Sequence, residues 1–72
     1  MNIDEFNTPD HAVFFPNDNL VAVFSLAGDI MGAEMPAWDL EGALKALHNN
    51  GYPEFNQVEF LDEDGAIAIH NY

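Results

Sequence analysis

Residues 20–26 have the sequence LVAVFSL, an almost entirely apolar run of strand length. Immediately before it, residues 16–19 read PNDN, which is typical of a turn because Asn and Asp tolerate left-handed backbone conformations and hydrogen-bond to their own backbone. Residues 11–15, in front of this turn, form a second short apolar run. Two apolar runs around a four-residue turn predict a β-hairpin.

Two further strand signals flank this hairpin on its C-terminal side. A third strand is predicted at residues 30–35, and Gly32 and Pro36 indicate that it is short or irregular. A second hairpin is predicted near the end of the chain, where Val58 and Phe60 alternate with polar residues. In its second strand, Ile67 and Ile69 alternate with the smaller or more polar residues Ala66, Ala68 and His70. The sequence DEDG at residues 62–65 joins its strands, and Asp-Gly is a strong signal for a hairpin turn.

One helix is predicted between the third and fourth strands. Its apolar stripe follows the spacing i, i+3, i+4, i+7 at Leu40, Ala43, Leu44 and Leu47. Asp39 stands where an N-cap is expected, and His48 would lie near the negative end of the helix dipole. The sequence NNG at residues 49–51 predicts the end of the helix.

The elements together predict an α+β fold in the order β-β-(β)-α-β-β. We expect residues 1–72 to form one domain, an antiparallel sheet of four to five short strands with one helix packed on one face. Residues 1–10 are polar and contain Pro9, so we expect an irregular N-terminal arm that Phe6 would anchor.

A single helix can cover only one face of such a sheet, yet residues 20–26 are apolar on both. Val21 and Val23 point to one face, and the other face receives Leu20, Ala22, Phe24 and Leu26. Either the N-terminal arm covers the second face, or part of that face meets another chain in a homodimer or a complex.

The composition is acidic but compatible with folding. The 72 residues include 13 Asp and Glu against one Lys or Arg, for a formal net charge of −12, while 49% of the residues are hydrophobic. Disorder by composition requires high charge together with low hydrophobicity, and only the first holds here. The single cation, Lys45, cannot form the basic patch that nucleic acid or a membrane surface requires. We therefore expect no direct binding to either.

The chain contains no recognisable catalytic or metal-binding motif. Ser25 lacks the glycines of a nucleophile elbow, and the histidines, at positions 11, 48 and 70, lack metal-ligand spacing. Three consecutive acids in a tight turn, with no Glu after Gly65, do not match a calcium loop. The absence of cysteine excludes thiolate sites and favours a reducing compartment. We expect a cytoplasmic, non-enzymatic protein without a cofactor or a metal ion.

The carboxylates themselves are then the candidate site. A surface with many acids and almost no cations attracts a basic partner at electrostatically steered rates. Carboxylates two residues apart on a strand are ~6.8 Å apart, close to the phosphate repeat of a nucleic-acid strand, so we expect the partner to be a nucleic-acid-binding protein or complex. The predicted partner-binding residues are Asp39, Glu41, Glu59, Asp62, Glu63 and Asp64.

Aromatic anchors are expected among these acids, because aromatic residues often contribute most of the binding energy of an interface. The candidates are Trp38, Tyr52, Phe55 and Tyr72, of which we expect Trp38 and Phe55 to belong to the core.

In length, acidity and absence of cysteine, the chain resembles small phage-encoded inhibitors that mimic nucleic acid, including many anti-CRISPR proteins and uracil-DNA glycosylase inhibitors. This resemblance implies inhibition of a defence or repair protein by filling its DNA-binding surface, in the host cytoplasm if the chain is phage-encoded. Three alternatives stay open on composition: an immunity protein or antitoxin that neutralises a basic nuclease, an ordinary acidic regulatory or structural subunit, and adaptation of a cytosolic protein to high salt.

Overall fold

A five-stranded sheet and one α-helix form the fold in the computed structural model, which describes residues 3–72 and the side chains of residues 5–72. The elements in chain order are a 3₁₀ helix at Ile3–Asn7, β1 at Pro9–Phe15, β2 at Leu20–Ser25, β3 at Ile30–Pro36, α1 at Leu40–Asn49, β4 at Gln57–Leu61 and β5 at Ile67–Asn71. The predicted α+β class, with one helix on a sheet, is confirmed.

The strand order across the sheet is β3-β2-β1-β4-β5. The pairs β1–β2 and β4–β5 are antiparallel, as the two predicted hairpins require, and the pair β2–β3 is also antiparallel. The pair β1–β4 is parallel, so the expectation of an entirely antiparallel sheet is wrong at this position. The reason is the helical crossover: β3 runs parallel to β1, and α1 carries the chain back so that β4 starts at the same end of the sheet.

The irregularity that the sequence predicts for β3 takes the form of a β-bulge. Val21 pairs with Met35 and Val23 pairs with Met31, so three residues of β3 lie opposite one residue of β2. Gly32, inside the bulge, has φ of +64°, a left-handed conformation that glycine adopts without steric cost.

The helix begins and ends as the sequence predicts. The Asp39 Oδ1 accepts a hydrogen bond of 2.6 Å from the backbone N–H of Gly42, which is the N-cap interaction. At the other end, the backbone N–H of Asn50 bonds to the carbonyl groups of Ala46 and Leu47. In the described part of the chain, no helix is long and apolar enough to cross a membrane.

The core lies between α1 and one face of the sheet. Ala43 and Leu47 of the helix are fully buried against strand residues that alternate along the sheet. These strand residues are Ala12, Phe14, Val21, Val23, Met35 and Val58.

Two predictions for aromatic residues have different outcomes. Phe55 packs partly buried against the core, but the side chain of Trp38 is 73% exposed, so its assignment to the core is wrong. Between β3 and the helix, the chain bends at Trp38 and Asp39. Ala37 takes the buried position, which turns Trp38 outwards.

The N-terminal arm is more regular than expected. Residues 3–7 form the 3₁₀ helix, β1 already begins at Pro9, and Phe6 is exposed rather than anchored in the core. The backbone N–H groups of Leu26 and Ala27 bond to the carbonyl groups of Thr8 and Glu5, so this segment lies against the C-terminal end of β2. Residues 1 and 2 of the predicted arm lie outside the described residues.

Candidate functional site

The face of the sheet opposite α1, here called the open face, is largely apolar. It receives the alternate residues of each strand, which are His11, Val13, Phe15, Leu20, Ala22, Phe24, Ile30, Pro36, Gln57, Glu59, Leu61, Ile67, Ile69 and Asn71. Ile67 is 70% exposed, Ile69 is 54% exposed and Leu61 is 46% exposed. Within the described residues, therefore, the N-terminal segment does not cover this part of the face.

Apolar side chains extend across all five strands at one end of the open face. Ile67 pairs with Leu61, and Phe15 pairs with Leu20, which pairs in turn with Pro36. Phe15 and Leu61 line the same groove, which connects the two sets. We call Pro36, Leu20, Phe15, Leu61 and Ile67 the apolar row.

Two acidic turns adjoin the apolar row. Because β1 and β4 are parallel, the turn after β1 and the turn after β4 lie at the same end of the sheet. The two turns enclose an open depression of about 640 Å³, here called the turn groove. Phe15 and Leu61 provide apolar surface in it, and Asp18, Asp62 and Glu63 provide carboxylates.

Asp62 has a structural role in its turn. Its Oδ1 accepts hydrogen bonds of 2.9 Å from the backbone N–H groups of Asp64 and Ala66. The backbone N–H of Asp62 also bonds to the carbonyl of Ala66 at 2.9 Å, which closes the predicted hairpin. The side chains of Glu63 and Asp64 are exposed. Of the three predicted acids in this turn, Asp62 therefore stabilises the turn itself, while Glu63 and Asp64 project into solvent.

Glu59 lies in the middle of the open face beside a histidine. The His11 ring stacks on Phe24 with 5.1 Å between ring centroids and 3° between planes. Its Nδ1 is 2.9 Å from the Asp10 Oδ2, and its Nε2 is 4.0 Å from the Glu59 Oε2. Glu59 is half-buried. His11 thus lies between two carboxylates on a largely apolar surface.

Asp39 and Glu41 lie elsewhere, at the start of α1 beside Tyr72. The Tyr72 hydroxyl donates a hydrogen bond to the carbonyl of Leu40. Burial raises the pKa of the Tyr72 phenol above 10.0, and the negative charges of Asp39 and Glu41 raise it further. The backbone N–H of Tyr72 bonds to the carbonyl of Asn56, so Tyr72 follows the end of β5 that is remote from the acidic turn.

The six predicted acids therefore occupy separate parts of the molecule. Asp62, Glu63 and Asp64 share one turn, Glu59 lies on the open face, and Asp39 and Glu41 belong to the helix side. The two pairs spaced i, i+2, Asp39 with Glu41 and Asp62 with Asp64, lie in a helix start and in a turn. The strand spacing that suggested a phosphate repeat does not apply to them.

Three residues that the sequence did not single out lie at this site. The sequence predicts a turn at Asp18 and strands at Phe15 and Ile67, without a role in binding. Pairing of the strands across the sheet brings these residues to the same end of the molecule. Their alternation along the strands was visible in the sequence, but the parallel pairing of β1 with β4 was not. It is this pairing that brings the two turns together.

Acidic side chains are almost all on the surface. Of the 12 whose burial the structure describes, 11 are exposed, and the exception is the half-buried Glu59. Among the described residues, no group of three His, Asp or Glu side chains is arranged to hold a metal ion. Comparison with protein-family models, curated proteins and solved structures found no match to this chain.

Proposed function

We propose that the protein is a non-enzymatic inhibitor that binds the basic surface with which a partner protein or complex holds DNA or RNA. The observation that carries this proposal is the exposure of 11 of the 12 described acidic side chains in a chain whose single Lys or Arg is Lys45. Such a surface attracts cationic partners and repels nucleic acid and anionic lipid.

The proposed inhibitor acts as an electrostatic mimic of nucleic acid. Its carboxylates are carried by backbone that the fold already orders, so little backbone entropy is lost when a partner binds. The resemblance to phage-encoded inhibitors adds the target class, a defence or repair complex in the host cytoplasm.

The test begins with the immobilised protein and a nuclease-treated bacterial lysate at low ionic strength. A retained protein is purified and mixed with a fluorescent DNA duplex. We expect the acidic protein to displace the duplex, and its affinity to fall on the order of tenfold or more as salt rises to physiological ionic strength, because exposed charges are screened.

A variant with two changes outside the lining of the turn groove, Asp29→Lys with Glu34→Lys, tests the role of total charge. It changes the net charge from −12 to −8. We expect slower association at low salt, since long-range attraction depends on the whole charge distribution. Binding that is insensitive to salt, or a complex in which the partner still holds its DNA, would contradict the proposed function.

A further inference from the structure

We propose that the turn groove and the adjoining apolar row form the contact surface, and that its occupant is a basic protein surface on which an apolar side chain is flanked by arginine or lysine. This inference rests on the proposed function and names the part of the molecule that performs it. Besides positive charge, the partner presents an apolar side chain.

The turn groove matches the two-part chemistry of a long cationic side chain. Arginine and lysine place their methylene groups on apolar surface while their charged ends reach polar groups. In the groove, Phe15 and Leu61 offer the apolar surface, and Asp18, Asp62 and Glu63 offer carboxylates around it. A planar guanidinium group can bond to such carboxylates through two N–H groups at once.

The apolar row extends this surface beyond the groove. Ile67 and Leu61 form a cross-strand pair and are 70% and 46% exposed. The solvated face of an antiparallel hairpin usually carries polar residues at such positions. A contiguous exposed apolar patch rimmed by polar residues is typical of a protein interaction site. The partner is therefore expected to place at least one apolar side chain on this row.

Charge complementarity distinguishes a basic partner from a second copy of this chain. Two copies joined through this surface would bring the carboxylates of Asp18, Asp62 and Glu63 towards their equivalents. Lys45 belongs to α1, on the opposite side of the sheet, and is the only Lys or Arg in the chain. No lysine or arginine is therefore available on the open face to pair with these acids. A basic partner surface, in contrast, supplies lysine or arginine side chains for them.

The test uses two peptides of equal charge and NMR of the ¹⁵N-labelled protein. One peptide is acetyl-Arg-Leu-Arg-Leu-Arg-amide, and the other replaces each Leu with Ser. We expect the leucine peptide to bind about tenfold more tightly, because its apolar side chains are removed from water on the row. We also expect its largest amide shifts at Phe15, Leu61 and Ile67 rather than at Asp29 or Glu54.

Matched variants separate the apolar from the ionic contribution. Ile67→Thr keeps a β-branched residue on β5, and we expect it to remove most of the preference for the leucine peptide. Phe6→Thr replaces another exposed apolar residue, at the far end of β2, and should leave that preference unchanged. Glu63→Lys should weaken the binding of both peptides more than Asp29→Lys, although each changes the net charge by the same amount. The amide spectrum of each variant confirms its fold.

Three results would overturn the inference. The first is equal affinity for the two peptides, and the second is a map of shifts centred on Asp39 and Glu41. The third is a dimer in sedimentation experiments that Ile67→Thr dissociates, since a second copy would then occupy the surface.

The DNA competition assay keeps this inference distinct from the proposed function. If wild-type protein displaces DNA and Ile67→Thr or Glu63→Lys displaces it equally well, the surface assignment is wrong and the function stands. If the peptides map to the turn groove but no partner loses its DNA, the function is wrong and the surface stands.

Discussion

The two faces of the sheet differ in what covers them, although the same five strands form both. On the helix side, Val21, Val23 and Val58 are buried beneath α1. On the open face, Ile67 and Ile69 remain more than half exposed. A ten-residue helix is enough to bury one face of this sheet. The difference shows that the apolar content of the strands exceeds what this core requires.

The polar side chains of the two sides also differ in whether they form hydrogen bonds within the fold or project into solvent. On the helix side, the Asp39 carboxylate caps α1 and the Tyr72 hydroxyl bonds to the Leu40 carbonyl, so both contribute to the fold. At the end of the open face, Glu63 projects into solvent from the turn after β4 and lines the turn groove together with Leu61. We infer that the helix side mainly stabilises the molecule and that the open face is available for binding.

Replacement of one residue on each side tests this comparison with the largest expected effect. Leu47 is fully buried on the helix side, so Leu47→Ala should lower the free energy of unfolding by about 2–5 kcal/mol through lost burial and a cavity. Ile67→Ala on the open face should change it by less than about 0.5 kcal/mol. Urea unfolding followed by circular dichroism measures both.

Measurement at two protein concentrations is the control for Leu47→Ala and Ile67→Ala. The cost of Ile67→Ala should be the same at micromolar and at millimolar protein, because no second copy is expected to cover the open face. A cost that approaches that of Leu47→Ala, or that grows with protein concentration, would show that the two faces are equally buried in solution.

Local patterns in the sequence predicted the five strands and α1, but neither the 3₁₀ helix at Ile3–Asn7 nor the long-range pairing of β1 with β4. The spacing of Leu40, Ala43 and Leu47 predicts α1, and the Asp-Gly pair at 64–65 predicts the second hairpin, because helix periodicity and turn chemistry are properties of neighbouring residues. The parallel pairing of β1 with β4 depends on where the helix crosses the sheet. No local pattern encodes it.

The residues of the candidate site likewise fall into two groups, those that local sequence patterns indicate and those that only the pairing of the strands brings together. The acids of the second turn were predicted from their density in the sequence. Their proximity to Asp18 and Phe15 depends on the parallel pairing, and the exposure of Trp38 depends on the bend before α1 and on the burial of the neighbouring Ala37. Asp39 illustrates the remaining difficulty, because a carboxylate that caps a helix and one that binds a partner are the same residue type in a sequence.

Substitutions of Asp39 separate these two roles. Asp39→Ala removes the oxygen that accepts from the Gly42 N–H and should lower the free energy of unfolding by about 0.5–2 kcal/mol. Asp39→Asn keeps a good N-cap and removes the charge, so it should retain most of this stability. Thermal and urea unfolding measure the two variants.

Partner or peptide binding by Asp39→Asn then tests whether the helix side contributes to recognition. We expect it to bind as the wild type does, apart from the small loss due to one charge, because Asp39 is not among the residues that line the turn groove. A loss as large as that of Glu63→Lys would show that the helix side belongs to the binding surface and would remove the functional distinction between the two sides.

The smallest loss of stability that we expect on the helix side concerns Tyr72, which joins the edge strand β5 to α1. Tyr72→Phe removes the hydrogen bond to the Leu40 carbonyl and should lower the free energy of unfolding at neutral pH by about 0.5–1.5 kcal/mol. The folded-state pKa of Tyr72 is raised above 10.0 by burial and by the charges of Asp39 and Glu41. A raised pKa means that the stabilising contribution is complete below the unfolded pKa and is lost as the pH rises through the folded one.

The wild type should therefore lose its advantage over Tyr72→Phe as the pH rises above 10, because ionisation places a negative charge beside two carboxylates and removes the donated hydrogen. Urea unfolding of both proteins from neutral pH to pH 11 measures the difference, and groups common to both proteins cancel in it. A difference that stays constant across this range would show that the phenol is free in solution. The edge of β5 would then be held to α1 by apolar packing alone, and the helix side would resemble the open face more closely than the structure indicates.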